Sequence, residues 1–395
     1  MLEIVFLLLV GSGFFLSLWV ILPAPVFSLL PLSVGVPEIS PGLILFNAIA
    51  LSIALWQGDR GGFYNLVIAA GLTGLLLSAL PLIQLPATNS KFASEMARVL
   101  GTDYLAKIPP ALQDKMRSRP FVFWDIFRGI SLSEVRIDRG IVFASRDGID
   151  LKLNTYRPLA QGKYPALIII YGGAWRAGTA NNNETFSRYI ANRGYSVIAI
   201  DYRHAPKYKF PIQIEDVKTA LQYILDNADE LEVDRDRLAI MGRSAGGHLA
   251  KLAAYQTERI PFRAVVSYYG SSDLVNGYKN TPFPNPINTR DVLHDFLGGT
   301  LEEIPQVYEK ASPFSYVKAS LPPTLLIYGS KDCIVQAKFG ERLSEKLKSL
   351  DNRAVFLKIP WADHAFDAVF SGISNQLALY YTERFLAWAL SAENQ

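Results

Sequence analysis

The sequence predicts a doubly wound, mostly parallel α/β sheet preceded by a helical transmembrane region, and three observations carry that reading. Charge is unevenly placed: before Ser90 the charged residues are Glu3, Glu38, Asp59 and Arg60, whereas charges are common after Lys91. Short β-rich runs then alternate with helical patterns, the rhythm of strand–helix–strand units. The later runs are continuously apolar rather than alternating, which implies burial on both faces of a sheet covered by helices.

At the amino-terminal end, the runs Ile4 to Leu22 and Phe63 to Leu85 are each long enough to cross a hydrocarbon core of about 30 Å. Leu43 to Trp56 is shorter and suits a third span, a re-entrant segment or an interfacial helix. The start, Met-Leu-Glu, lacks a basic n-region, so a retained helix is expected rather than a cleaved signal peptide. Residues 1–90 are thus read as a membrane anchor of two or three spans. Lys91, Arg98 and Lys107 follow the last span against Arg60 in the second connection, a slight bias that places the following domain in the cytoplasm.

Residues 91–138 read as a linker with lead-in helices, broken by Pro109 and Pro110 and bearing the aromatic patch Phe121, Phe123, Trp124 and Phe127. In the domain 139–395, strands are expected near Ile141 to Ala144, Leu151 to Tyr156, Ala166 to Ile170, Ser196 to Ile200, Leu238 to Met241, Ala264 to Tyr268, Thr324 to Tyr328 and Ala354 to Ile359. Helical patterns near Glu184 to Asn192, Ile214 to Ala228, Ala245 to Tyr255, Ala337 to Leu350 and Leu377 to Leu390 supply the cover. The stretch 272–321, rich in proline and asparagine, interrupts this rhythm and is a candidate lid.

Composition narrows the function. Lys and Arg total 39 against 36 for Asp and Glu, a net charge of +3, too balanced for a nucleic-acid partner. The single cysteine, Cys333, excludes an intrachain disulfide, and four histidines without paired His/Cys spacing offer no structural zinc site. Neither a phosphate-binding loop nor a placed dinucleotide motif is present, so no metal or organic cofactor is expected. Nothing in the pattern specifies an oligomeric state.

The chemistry-bearing signal is Gly242-Arg243-Ser244-Ala245-Gly246, set between an apolar strand and a helical pattern. A strained strand-to-helix turn that exposes a serine needs small residues two before and two after it, because neighbouring backbone comes into contact there. Such a nucleophile needs a base, and His364 lies just past the last strand, where active-site groups of open α/β sheets gather. Asp332, in the turn after the strand ending at Tyr328, can orient the imidazole; Asp273 is a rival acid, and Asp363 is read as a loop-stabilising neighbour. His248 lies one helical turn past Ser244 and suits helix packing, while His204 and His294 are placed in loops as structural or surface groups. Acyl transfer also needs donors for an oxyanion. Tyr171-Gly172-Gly173-Ala174-Trp175 follows a strand and offers the N–H groups of Gly173 and Ala174, which that of Ala245 completes.

Taken together, these motifs resemble the hormone-sensitive-lipase-like and carboxylesterase branches of the α/β-hydrolase family, including small esterase and formamidase-type members. Tyr171-Gly-Gly-Ala-Trp175 is similar to the family's His-Gly-Gly-x-Trp, and Asp201-Tyr-Arg-His-Ala-Pro206 to its Asp-Tyr-Arg-Leu-Ala-Pro. The run Gly242 to Leu249 matches the family's elbow, and Gly329-Ser-Lys-Asp332 with Asp363-His-Ala-Phe366 its acid and histidine loops, in the family's order. Tyr171 departs from the usual histidine, and the membrane portion falls outside the resemblance. The resemblance implies hydrolysis of a small-molecule ester by Ser244, His364 and Asp332 through an acyl-enzyme. The anchor adds lipophilic acyl esters from the bilayer as the expected substrates. The alternatives are an amidase, formamidase or peptidase on the same triad, and a non-catalytic membrane scaffold that keeps the fold.

Overall fold

A computed structural model of the chain describes residues 2–57, 62–257 and 260–391; Asp59 and Arg60, the latter part of the orientation argument, lie outside them. The amino-terminal region comprises α1 (Leu2–Leu18), α2 (Leu30–Glu38), α3 (Ser40–Gln57) and α4 (Gly62–Leu100). Helix α1 stops short of Leu22, before a segment that carries Pro23 and Pro25, where ring sterics disfavour helical backbone. Helix α4 does not end near Leu85 but runs on to Leu100, with Pro81 and Pro86 inside it. Among the described residues, α4 alone is long and apolar enough to cross a membrane by itself, so it is a candidate anchor. Helices α2 and α3 meet the same test only as a pair, bent by 85°, and α1 is a shorter apolar helix.

Large apolar side chains face outward in this region, and a polar cluster lies inside among buried apolar ones. Leu8, Leu66, Leu76 and Ile83 point outward, whereas Ser17, Asn47 and Ser78 are buried. Asn47 Nδ2 donates to Ser17 Oγ at 2.9 Å and to Ser78 Oγ at 3.3 Å, joining α1, α3 and α4. The backbones approach closely enough that a Cβ on Gly13 would lie 2.1 Å from Asn47 Oδ1. Beyond the apolar stretch, α4 turns its buried Phe92, Met96 and Leu100 into the core of the following domain.

Two single turns, α5 (Pro110–Gln113) and α6 (Asp125–Arg128), lead into the sheet. Its strands are β1 (Arg136–Arg146), β2 (Ile149–Arg157), β3 (Tyr164–Ile170), β4 (Ser196–Ile200), β5 (Val233–Arg243), β6 (Phe262–Tyr268), β7 (Thr324–Gly329) and β8 (Ala354–Ile359). They are ordered β1-β2-β4-β3-β5-β6-β7-β8. The pairs β1–β2 and β2–β4 are antiparallel, and the run β4-β3-β5-β6-β7-β8 pairs in parallel throughout. In register, Ile168 of β3 meets Ile198 and Ile240, all fully buried, as continuously apolar strands require. The covering helices are α7 (Glu184–Ala191), α8 (Ile212–Asp226), α9 (Ala245–Gln256), α13 (Ala337–Lys348) and α14 (Ile373–Ala389). Between β6 and β7 the stretch expected as a lid folds as α10 (Leu274–Lys279), α11 (Thr289–Leu297) and α12 (Pro305–Ala311). His294, expected in a loop, lies on α11.

Candidate active site

The carboxyl ends of β3, β5, β7 and β8 converge on Ser244. Strand β5 runs directly into it, and its backbone sits at φ 50°, ψ −120°, a positive-φ conformation that non-glycine residues adopt only when surroundings enforce it. Those surroundings are tight. A Cβ on Gly242 would lie 2.1 Å from Gly246 O, and one on Gly246 would lie 2.1 Å from Ile170 O, so both positions require glycine. The Ser244 N–H donates to Tyr268 O at 3.0 Å, tying the turn to β6.

From the serine a hydrogen-bonded chain runs inward. Ser244 Oγ lies 2.9 Å from His364 Nε2, and His364 Nδ1 lies 2.8 Å from Asp332 Oδ2. The other carboxylate oxygen of Asp332 accepts from the N–H groups of Ile334 at 2.8 Å and Val335 at 2.7 Å. Asp332 is thereby fixed with its second oxygen toward the imidazole. The three residues come from three distant stretches of chain, and they meet because β5, β7 and β8 end at one rim.

The other carboxylates are engaged elsewhere. Asp273 caps α10, accepting from the Asn276 N–H at 3.0 Å, and Arg342 lies 3.4 Å from it. Asp363 accepts the His364 N–H at 2.7 Å and the hydroxyl of Ser33, which closes the histidine loop; burial pushes its carboxyl above the usual range. The histidines away from the triad are likewise placed. His248 takes the indole N–H of Trp175 on Nδ1 at 3.2 Å and lies 2.6 Å from Ala311 O through Nε2, so that nitrogen carries the proton. Burial holds it neutral, with its pKa lowered to about 3.

Gly173, Ala174 and Ala245 all line the space beside Ser244. Gly173 has φ +138°, and a Cβ there would lie 2.0 Å from Ala177 O, so the loop's shape depends on glycine. Where histidine was expected, Tyr171 reaches His204 Nε2 at 2.9 Å with its hydroxyl and stacks on Tyr202 at 4.6 Å between centroids. Of the two roles open to it, structural or surface, His204 takes the structural one, half-buried behind the loop. The Asp201–Pro206 segment supports the same loop: Ala205 N donates to Trp175 O at 2.9 Å, and Asp201 Oδ1 accepts the Ala180 N–H at 2.6 Å.

Two groups of residues escape sequence reasoning. The ring of Tyr269 lies 4.5 Å from that of His364, and its hydroxyl donates to Asp367, which also receives Arg243. Tyr269 follows a strand end with φ +40°, a position no motif marks. The second group comes from the amino-terminal region. Besides Ser33, Trp19 O accepts from Lys331 Nζ at 2.7 Å, and Glu38 Oε2 accepts from the Ser374 N–H at 2.8 Å. Phe27 and Leu30 line the cavity that contains Ser244 and His364. The loops bearing the acid and the histidine thus rest on the segment between α1 and α3.

A family model described as BD-FAE matches residues 153–347. The chain is 35% identical over 223 residues to the esterase LipC of Mycobacterium tuberculosis, covering 51% of this chain and 53% of that protein. It is 39% identical over 126 residues to an arylacetamide deacetylase of Bos taurus, covering 30% and 32%. The chain spans about half the length of the first curated relatives it matches. Among solved structures, a bacterial heroin esterase superposes with a TM-score of 0.58 at 23% identity, over 72% of this chain and 99% of that one. A Thermogutta terrifontis esterase with propionate bound gives 0.52 at 25% identity, over 64% and 93%.

Proposed function

We propose that from its sheet onward the chain is an esterase of the α/β-hydrolase family and hydrolyses carboxylic esters at Ser244. The observation that carries the reading is the unbroken chain Ser244–His364–Asp332. His364 Nε2 takes the hydroxyl proton as Oγ attacks the ester carbonyl, and Asp332 fixes the tautomer and offsets the charge of the imidazolium. The N–H groups of Gly173, Ala174 and Ala245 meet the oxyanion, whose charge develops only as the tetrahedral centre forms. The leaving alcohol recovers the proton from His364, and water then releases the acid by the same steps.

The amino-terminal helices are read as a membrane anchor that keeps the site at the bilayer, which suits lipophilic esters. Outward apolar side chains around a buried Asn47–Ser17–Ser78 cluster support this, since polar groups join helices in lipid and apolar ones face the chains. By the basic-residue bias, the catalytic domain faces the cytoplasm.

One curated relative is named an arylacetamide deacetylase, so amides are the second reading. Matched ester and amide substrates assayed on the detergent-solubilised chain separate the two. The ester reading expects ester turnover that disappears in S244A; amide turnover without ester turnover refutes it.

A further inference from the structure

Two cavities meet at Ser244 and differ in size and walls. The narrower, about 60 Å³, is lined by buried Leu274 of α10, Leu293 of α11, Phe339 of α13 and Val335 just before it. Since one water alone needs about 10–15 Å³ of such space, the narrow cavity admits a short chain and no long one. The wider, about 860 Å³, contains His364 and Ala365 and is bounded on its outer side by Phe27 and Leu30 of the amino-terminal region. Ala245 lines only the narrow cavity, and His364 only the wide one.

This asymmetry orients an ester. When the tetrahedral centre collapses, the bond from carbon to the alcohol oxygen breaks, and that oxygen must take its proton from His364 Nε2. The alcohol therefore lies in the cavity that contains His364. The acyl chain points the other way, past Ala245 into the narrow cavity, where water later releases it as a free acid. Resting on the ester reading above, we infer that this site takes short-acyl esters, acetyl to butyryl, of bulky lipophilic alcohols. The lipophilic part of the substrate is then the alcohol, not the acyl chain. Phe27 and Leu30 act as the alcohol-side specificity residues: they give the wide cavity apolar wall from the amino-terminal region, against which a lipophilic alcohol can pack.

Dodecyl acetate and ethyl dodecanoate test this, because they are isomers of matched hydrophobicity with the long chain on opposite sides of the ester. On the full chain in mixed micelles, kcat/KM should favour dodecyl acetate by about a hundredfold, the scale on which a filled apolar pocket rejects extra methylenes. Equal rates, or preference for ethyl dodecanoate, overturn the assignment. Turnover of p-nitrophenyl acetate, which has no long arm, separates this failure from a deeper one: without it, the ester reading itself falls. Two variants act in opposite directions. F339A should raise ethyl octanoate relative to ethyl acetate by about tenfold by deepening the acyl cavity. F27A should lower dodecyl acetate relative to ethyl acetate, with the change in KM. An acyl-length profile unmoved by F339A, or an alcohol-length profile unmoved by F27A, contradicts the orientation.

Discussion

The sheet domain and the amino-terminal helices differ in what they turn outward and in where a polar cluster sits. In the sheet, Ile168, Ile198 and Ile240 are sealed from solvent; in the helices, Asn47, Ser17 and Ser78 are sealed beside apolar residues such as Val10 and Ala50, while Leu8, Leu66 and Leu76 point out. The outward face of the helices is the one that the proposed membrane anchor requires. Water expels apolar area from its surface, whereas lipid gives apolar contacts no reason to hide and makes an unpaired polar group costly. The two regions are not merely tethered. Helix α4 passes without a break from one into the other, and Ser33 and Trp19 bond to the loops that carry His364 and Asp332.

The comparison can be broken at either end, and the largest effect is expected at the elbow. A methyl group on Gly246 would meet Ile170 O at 2.1 Å and Tyr171 O at 2.4 Å, both backbone atoms that cannot step aside. G246A should cost about 3 kcal/mol or more, read as a lowered melting temperature together with lost activity. On the other side of the comparison, Leu76→Arg places a charge on the outer face of α4. In lipid this should cost roughly 2.5–3.5 kcal/mol and reduce the membrane-inserted fraction, whereas a water-facing position would tolerate it within about 0.5 kcal/mol.

Two smaller effects probe how the regions are joined. S33A leaves one oxygen of buried Asp363 without its hydroxyl donor, and should destabilise by about 1–3 kcal/mol. Because Asp363 also holds the His364 backbone, kcat should fall while KM changes little; equal kcat in the variant would show that the contact does not position the base. For His248, burial lowers the folded pKa to about 3 from an ordinary 6.5. Below pH 6.5 the unfolded chain binds a proton that the fold refuses, so stability falls as pH drops from there toward 3, by about 1.4 kcal/mol per pH unit. Thermal melts of H248Q should lose that part of the acid slope.

Much of the sheet domain was legible in the sequence because its signals are local. All eight expected strands and the five covering helices have counterparts in the structure, since continuous apolar runs and Gly-rich turns determine those elements within a few residues of themselves. The onset of charge at Lys91 was less informative than it looked. It marks where α4 leaves its apolar stretch, not where the helix ends, and Phe92, Met96 and Leu100 keep a helical spacing on the buried side. The placement of His204 behind Tyr171 and the approach of Tyr269 to His364 depend on loops folded by tertiary contacts, for which no periodicity exists. Least legible was the meeting of Ser33 with the loop of His364, and of Phe27 and Leu30 with the cavity beside Ser244, across most of the chain between regions whose patterns are separately complete.

Everything functional rests on Ser244 being activated by His364. Treatment with a fluorophosphonate followed by peptide mass analysis measures this directly. A single adduct on Ser244 is expected, formed at least about a thousandfold more slowly in H364A with the fold retained. An adduct on another residue, or undiminished labelling without His364, would contradict the account.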